Sequence, residues 1–361
     1  MRLEAGQSHE ALPPGNVVIV FNSEAGTGTT QKKYRRVRRA AAQLERYGWQ
    51  VDVKKTTYAG QEAEFAESAI NQGANAIFAA GGDGTINEVA NGFFEYNTNI
   101  NYNINASSKD TFDNDLLSFY LEPINPEAVL TVLPCGTRNV LIQSLGLPNN
   151  FETCCKTLGN CKTSKKIDII SALLTDLNNP EKNVNRIFLN AAEIGMGAEI
   201  ISKSKSIRKK VNSRILSTIA GLAITLPNYK DQICEITLGL DKEGDNDNKI
   251  ITKMTMGVVA NGSFLGGGIK AAAKAKFDDA LLDVVIIKNS EGLAFLNEII
   301  NLKNGDQVKS SGEGNIMYTQ SKNISMISPS DKNVIVTLDG EPVGTLPGLF
   351  RVFPSYMRIK I

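Results

Sequence analysis

The stretch "FAAGGDGTINEVANG", Phe78 to Gly92, sets three glycines (Gly81, Gly82 and Gly84) around one carboxylate, Asp83, directly after a short apolar run. "AIFAA" (Ala76 to Ala80) has the length and unbroken apolar character of a buried parallel strand. "INEVANG" opens a helix with Gly92 as its stop signal. Glycines at a strand-to-helix junction let the backbone take positive φ and approach a ligand closely. The exposed N–H groups of a helix start favour an anion, phosphate above all. A lone carboxylate repels phosphate, so Asp83 needs its own account. A bound cation would supply one, as would a hydroxyl of a ribose or substrate. The simpler reading is a tight turn in which Asp83 caps the helix.

Acid–base chemistry has few other sources. The 361 residues contain one histidine, His9, in a polar leader expected to be disordered. That excludes a Ser-His-Asp triad, a Cys-His pair and a histidine metal site in the core, and leaves carboxylates, lysine or tyrosine. Two acidic stretches stand out. In "LDGEP" (Leu338 to Pro342) the "DG" between strand-like "NVIVTL" and "VGTLPG" predicts a type I′ hairpin turn carrying Asp339 and Glu341. "KFDDALLD" (Lys276 to Asp283) places three aspartates near a strand start, either as oxygen ligands for a cation or as turn caps.

The elements that must position these residues fall into two textures. The first half alternates strands and helices. "NVVIVF" (Asn16 to Phe21), "WQVDVKKT" (Trp49 to Thr56), the run before Gly81, and "AVLTVLPCGT" (Ala128 to Thr137) read as strands, with helical segments between the first three. This predicts an α/β domain over 16–158, a parallel sheet with helices on its faces. The loops at Asn22, Thr56, Gly81 and Gly136 would then share the carboxyl edge of the sheet, where such folds bind ligands. Within it, 95–126 holds the asparagine-rich "YNTNINYNINASSKD", expected as a surface insertion without chemistry. From 159 to 361 the runs become strand-like and separated by Gly, Asn or Asp. A β-rich domain of two packed sheets is expected, with one long helix from Glu199 to about Leu226 and a last strand that returns to the first domain.

Composition narrows the partners. The net charge of +1 gives no electrostatic case for nucleic acid. The five cysteines lack a paired C-x-x-C arrangement and fit reduced cytosolic thiols better than zinc. No secretory signal is indicated, and the longest apolar stretch, "ILSTIAGLAITLP", is too short to span a bilayer. "KKYRRVRR" (Lys32 to Arg39) reads as the solvated face of a helix. The six cations of 203–214, joined to an apolar helical half, suit an anionic membrane surface, with the apolar half packing on the β-domain.

Taken in order, these motifs resemble the diacylglycerol kinase-type lipid kinases, which include bacterial soluble lipid kinases and sphingosine kinases. "FNSEAGTG" is similar to the family's N-P-x-(S/A)-G loop with Ser23 for proline, and "GGDGTINEV" matches the nucleotide loop. "LPCGTRNVLIQSLGLP" resembles the P-x-G-T-x-N segment, with Val140 where many members carry aspartate. "NGSFLGGGIKAAAKAKFDDALLDV" resembles N-G-x-x-x-G-G-G … D-G-x-L-D/Q-V, with Ala280 for the usual glycine, and "TLDGEP" matches the D-G-E turn. GGDGT also occurs in NAD kinases; the order of the later motifs selects the lipid kinase branch.

The resemblance implies ATP as phosphoryl donor, held by Gly81, Gly82, Asp83, Gly84, Thr85, Ile86 and Asn87, with Thr56, Thr137 and Asn22 as further contacts. "GTGTTQKK" is not a Walker A loop. Asp83 would orient Mg·ATP or the acceptor hydroxyl. Glu341 would accept the proton of a lipid hydroxyl, with Asp339 beside it, and the lipid would enter a cleft between the domains. Mg2+ would bind the side chain of Asp279 and the carbonyls of Lys276 and Leu281, as a structural ion linked to the active site by water. Diacylglycerol is the leading acceptor, and the enzyme is expected in the cytoplasm, peripheral to a membrane; a homodimer is left open. The rivals are an NAD kinase and a catalytically silent lipid- or nucleotide-binding regulator.

Overall fold

The structure is a computed structural model that describes residues 10–11, 14–24, 29–96, 121–136, 138–160, 163–211, 224–225, 227, 229–239, 249–288, 295, 298–299, 315–329 and 333–360. The described residues form two compact units. One comprises those up to Tyr96, Leu121–Ile169 and those from Pro354 onward; the other is drawn from Ile170–Phe353. Thr137, His9 and the asparagine-rich core of the insertion lie outside the described residues, as do most of the apolar half of the second basic segment and its cations beyond Val211.

The first unit contains strands β1 (Glu10–Ala11), β2 (Asn16–Phe21), β3 (Gln50–Lys55), β4 (Ala76–Gly81), β5 (Phe94–Tyr96), β6 (Leu121–Pro123) and β7 (Val129–Pro134), and the start of β8 (Thr163–Asp176). Its helices are α1 (Thr30–Arg46), α2 (Gln61–Asn71), α3 (Asp83–Asn91), α4 (Val140–Ser144) and α5 (Phe151–Asn160). The order β3-β2-β4-β7 is parallel throughout, and Arg358 and Ile359 add a further parallel edge beside β7. Period-two alternation explains the burial of both faces. Val17, Ile19, Phe21, Ala76, Phe78 and Ala80 pack with Val37, Ala40, Ala41 and Leu44 of α1 and with Phe151 and Cys154 of α5. The alternate residues Val20, Ile77, Ala79, Leu130 and Val132 are buried too. Right-handed crossovers place α2 on the opposite side from α1.

Among the described residues of the 95–126 insertion, β5 and β6 pair antiparallel, closing the segment at its base. The basic stretch on α1 is mostly exposed, and its apolar stripe is what docks, in agreement with a solvated face. Burial pushes the thiols of Cys135, Cys154 and Cys234 up to about 12 and that of Cys155 to about 11, so these are inert packing groups.

The second unit holds the rest of β8, β9 (Asn183–Phe188), β10 (Ala191–Gly195), α6 (Met196–Val211), β11 (Gln232–Leu238), β12 (Lys249–Ala260), β13 (Leu282–Lys288), β14 (Ile316–Ser321), β15 (Asn323–Ile327), β16 (Ile335–Leu338) and most of β17 (Glu341–Ile359). All its strand pairings with a printed register are antiparallel. The strands of the expected β-rich domain are joined in one hydrogen-bonded network. β12 pairs β11 through Lys249–Met254 and β10 through Met256–Ala260, and β17 pairs β16 near its start and β15 through Gly348–Arg351. Pairing therefore closes in the ring β10-β12-β11-β15-β17-β16. Two long strands that change partners along their length make the corners, which lets a sheet turn onto itself around one core. Phe188, Ile194, Ile236, Met254, Ile286, Met326, Val336 and Phe350 meet in that core. α6 covers Met196–Val211; of the rest of the expected helical run from Glu199 to about Leu226, only Ile224 and Thr225 are described, and both are helical.

Candidate active site

The carboxyl edge of the parallel sheet gathers the sequence motifs of the first unit. The helices after β2 and β4 leave on opposite faces, so a crevice opens between those strand ends, the usual ligand position in such a sheet. Asn22 N–H donates to the Ala80 carbonyl (3.3 Å), Thr56 N–H to the Phe21 carbonyl (3.0 Å), and the N–H groups of Cys135 and Gly136 to the Gly81 carbonyl (2.9 Å each). Asn22, Thr56, Gly81 and Gly136 thus share one edge.

The glycines are required there by space. A Cβ on Gly81 would sit 2.3 Å from Thr85 Cβ, and one on Gly136 would sit 2.6 Å from the Gly82 Cα. Two strand-to-helix turns are apposed backbone to backbone. Gly82 has extended φ and a hypothetical Cβ 3.4 Å from Gly136 Cα, so the protein itself does not demand glycine at that position. Thr85, Ile86 and Asn87 are buried in the first turns of α3, where Asn87 accepts from Asn91 Nδ2 (3.1 Å).

Asp83 is the first residue of α3, and its carboxylate reaches the start of the next helix. Oδ1 accepts the Leu141 N–H of α4 at 3.1 Å. The carboxylate is stabilised by the neighbouring helix start, which explains how an acid sits beside a phosphate-ready turn. Gly84 follows it, only partly buried. Asn139, the N-cap of α4, is buried in the left-handed region (φ 50°) and donates to the Gly136 carbonyl (3.2 Å) and Asn149 Oδ1 (2.7 Å).

Asn22 is held by a residue that sequence reading missed. Its Nδ2 donates to Glu62 Oε1 at 2.7 Å, and its Oδ1 accepts Glu24 N–H at 2.8 Å. Glu62 is buried, its Oε2 has no hydrogen-bond partner among the described residues, and burial first of all holds its carboxyl above the usual range. The helical pattern of α2 gave no reason to look for a buried acid in its first turn.

In the second unit, Leu338 pairs with Glu341, leaving Asp339 (φ 48°) and Gly340 (φ 79°) as a two-residue turn with both φ positive, the type I′ geometry expected from "DG". The Asp339 carboxylate is fully engaged elsewhere. It accepts the N–H groups of Leu189 (3.0 Å), Asn190 (2.9 Å) and Ala191 (3.1 Å), and its own N–H donates to the Ala191 carbonyl (2.9 Å). These bonds pin the hairpin to the β9–β10 corner. The same corner holds the "NG" motif, because Asn261 and Gly262 N–H groups donate to the Asn190 carbonyl and Asn190 Nδ2 donates to the Phe264 carbonyl (2.8 Å). Three segments far apart in sequence meet there. Glu341, half-exposed, projects from the far side of the turn and forms an ion pair with Lys205 of α6 through Oε2.

At the start of β13, Asp279 Oδ1 accepts Leu281 N–H (3.2 Å), and burial raises its carboxyl. Fully buried Asp283 takes the Tyr318 hydroxyl and Gln320 Nε2 (3.2 Å) on Oδ1, while Oδ2 has no partner among the described residues. Burial, with Asp279 adding to it, pushes Asp283 up to about 6. Two crowded acids beside main-chain oxygens fit a hard, oxygen-seeking cation such as Mg2+. Among the described residues no cluster of three or more His, Cys, Asp or Glu side chains is arranged to hold a metal, so a site here would use Asp279 and the carbonyls of Lys276 and Leu281. Ala280 takes φ 58°, a left-handed position that explains glycine as the common residue there.

Two family models cover most of the chain: the diacylglycerol kinase catalytic domain matches residues 16–172, and the YegS C-terminal NAD kinase beta sandwich-like domain matches 192–361. The chain belongs to the diacylglycerol kinase-type lipid kinase family. It is an enzyme of the lipid kinase class. A diacylglycerol kinase of Bacillus subtilis (strain 168) is 24% identical over 339 residues, covering 92% of this chain and 91% of that protein. A probable lipid kinase YegS of Escherichia fergusonii is 25% identical over 325 residues, covering 90% and 91%. A crystal structure of a diacylglycerol kinase from Bacillus anthracis str. Sterne shares the fold with a TM-score of 0.60 at 17% identity, covering 96% of each chain. Among the described residues of this lipid kinase no helix is long and apolar enough to cross a membrane. Of the six cations in 203–214, Lys203 pairs with Glu199 (3.0 Å) and Lys205 with Glu341, so those two are held on the protein.

Proposed function

We propose that this lipid kinase transfers the γ-phosphoryl group of ATP to the hydroxyl of diacylglycerol, giving phosphatidic acid. The observation that supports it most is the start of α3. Glycine-lined strand ends meet there at the switch point of a parallel sheet, and first-turn N–H groups lie beside a carboxylate stabilised by another helix. In this reading Gly81 to Asn87 cradle the triphosphate, with Asn22, Thr56 and Thr137 alongside, and Asp83 orients ATP or the acceptor. Glu341 Oε1 takes the hydroxyl proton as the oxygen bonds to phosphorus and the bridging bond to ADP breaks; the glutamic acid then releases the proton to water. Positioning supplies most of the rate, since phosphoryl transfer asks little covalent work of the protein. Mg2+, held by Asp279 and the carbonyls of Lys276 and Leu281, supplies positive charge and local order when bound. The cations of 208–214 bring the enzyme to an anionic membrane from the cytoplasmic side.

Transfer of label from ATP to a lipid panel in mixed micelles (diacylglycerol, phosphatidylglycerol, a sphingoid base, ceramide) tests this. Labelled phosphatidic acid is expected, and Asp83→Ala should abolish it. Labelling of NAD in lipid-free buffer would instead make the enzyme an NAD kinase, and nucleotide binding without transfer to any acceptor would make it a silent binder.

A further inference from the structure

We infer that Lys205 is a positioning residue for the proton acceptor, dividing the labour of the two Glu341 oxygens. The inference rests on the reading of Glu341 as base. Lys205 takes Oε2, and it is the only side chain bonded to Glu341 among the described residues. Oε1 is left for a substrate hydroxyl on a side chain that is 47% exposed. An unrestrained glutamate at that exposure would sample several rotamers about its three side-chain torsions. A proton acceptor must instead sit within hydrogen-bond reach of the hydroxyl it relieves.

The fold makes this lysine specific. α6 leaves β10 at Gly195, whose φ of 78° turns the chain, and buried Ala198 and Ser204 seat the helix on the unit. Glu199 occupies Lys203 one turn earlier, so the neighbouring cation is already committed. The turn that carries Glu341 is itself locked by the Asp339 carboxylate on three backbone N–H groups. Base and lysine therefore project from two anchored elements. An exposed ion pair contributes little to stability. Its effect should appear in turnover, where a small misplacement of a reacting group is amplified.

The test compares Lys205→Met, Lys205→Gln, Lys205→Arg and Glu341→Gln, singly and with Lys205→Met combined with Glu341→Gln, in ATP-to-diacylglycerol transfer and in co-sedimentation with phosphatidylglycerol vesicles. Lys205→Met and Lys205→Gln should lower kcat about tenfold or more, with KM for ATP, vesicle binding and melting temperature unchanged. Arginine should restore kcat to within about threefold, since it preserves the charge and a donor. In the Glu341→Gln background, Lys205→Met should have no further effect, because its target is gone. Lys249→Met, which breaks the comparable exposed pair with Glu235, should keep full activity. The inference is overturned if the double variant loses activity additively, if vesicle binding falls while kcat holds, or if Lys205→Met is as active as wild type although Glu341→Gln is not. Full activity in Glu341→Gln would overturn the base reading itself.

Discussion

The two units build their candidate sites by opposite means. In the first, the arrangement is one of backbone: Gly81 and Gly136 sit where a Cβ would meet Thr85, Asn139 or the Gly82 backbone. In the second, a side chain does the building, since the Asp339 carboxylate gathers three N–H groups nearly 150 residues away and so holds the turn that presents Glu341. A phosphate-binding turn depends on what is absent, a proton-accepting turn on what is tied down. The first fails on gaining a side chain at its glycines; the second fails on losing the Asp339 one.

Asp339→Ala should therefore do the most damage. It leaves three N–H groups without their charged acceptor and is expected to lower stability by about 3 kcal/mol or more, read by urea denaturation, together with loss of transfer. Gly136→Ala comes next at about 1–3 kcal/mol, because the new methyl meets the Gly82 backbone as well as Asn139 Oδ1. Gly82→Ala is the contrasting case. Its Cβ has ordinary room, so melting should barely change while ATP binding by calorimetry weakens about tenfold or more, the methyl intruding where the triphosphate lies. Equal stability losses in both glycine variants would break the comparison.

Glu62 sharpens it further. Its carboxyl is held above the ordinary glutamate value by burial, so the folded state favours the protonated form. Its favourable contribution is greatest below the unfolded-state value, near 4.5, and is lost as pH rises through the higher folded-state one. Glu62→Gln keeps an acceptor for Asn22 and removes the charge. Its stability relative to wild type should climb as pH rises from roughly 4 to 7, in paired denaturation curves. The smallest effect is at Ala280, where glycine in place of a left-handed alanine should add about 0.5–1 kcal/mol to stability.

What could be read in advance follows the same division. GGDGT is contiguous, and a glycine turn between an apolar run and a helix announces itself over a dozen residues. The "DG" turn was equally local, and its positive φ pair matches the expectation. The bonds of Asp339 to Leu189, Asn190 and Ala191 were not legible, because these partners are main-chain groups, which carry no signature in residue type. Lys205 and Glu341 lie 136 positions apart, so their pairing belongs to tertiary structure alone. Glu62 sat in a helix start, where an exposed acid is the ordinary case. The single network of the second unit was hidden for another reason: β12 and β17 are long strands that switch partners midway, and alternation along a strand says nothing about where its neighbour changes.

The central claim is phosphoryl transfer from ATP to a lipid hydroxyl with Glu341 as proton acceptor. Initial rates of label transfer from ATP to diacylglycerol in mixed micelles, wild type against Glu341→Gln at matched folding, test it most directly. A loss in kcat of about 10²–10⁴ with KM for ATP held is the expected result. Undiminished transfer by Glu341→Gln, or no lipid product from the wild type under any acceptor offered, would contradict it.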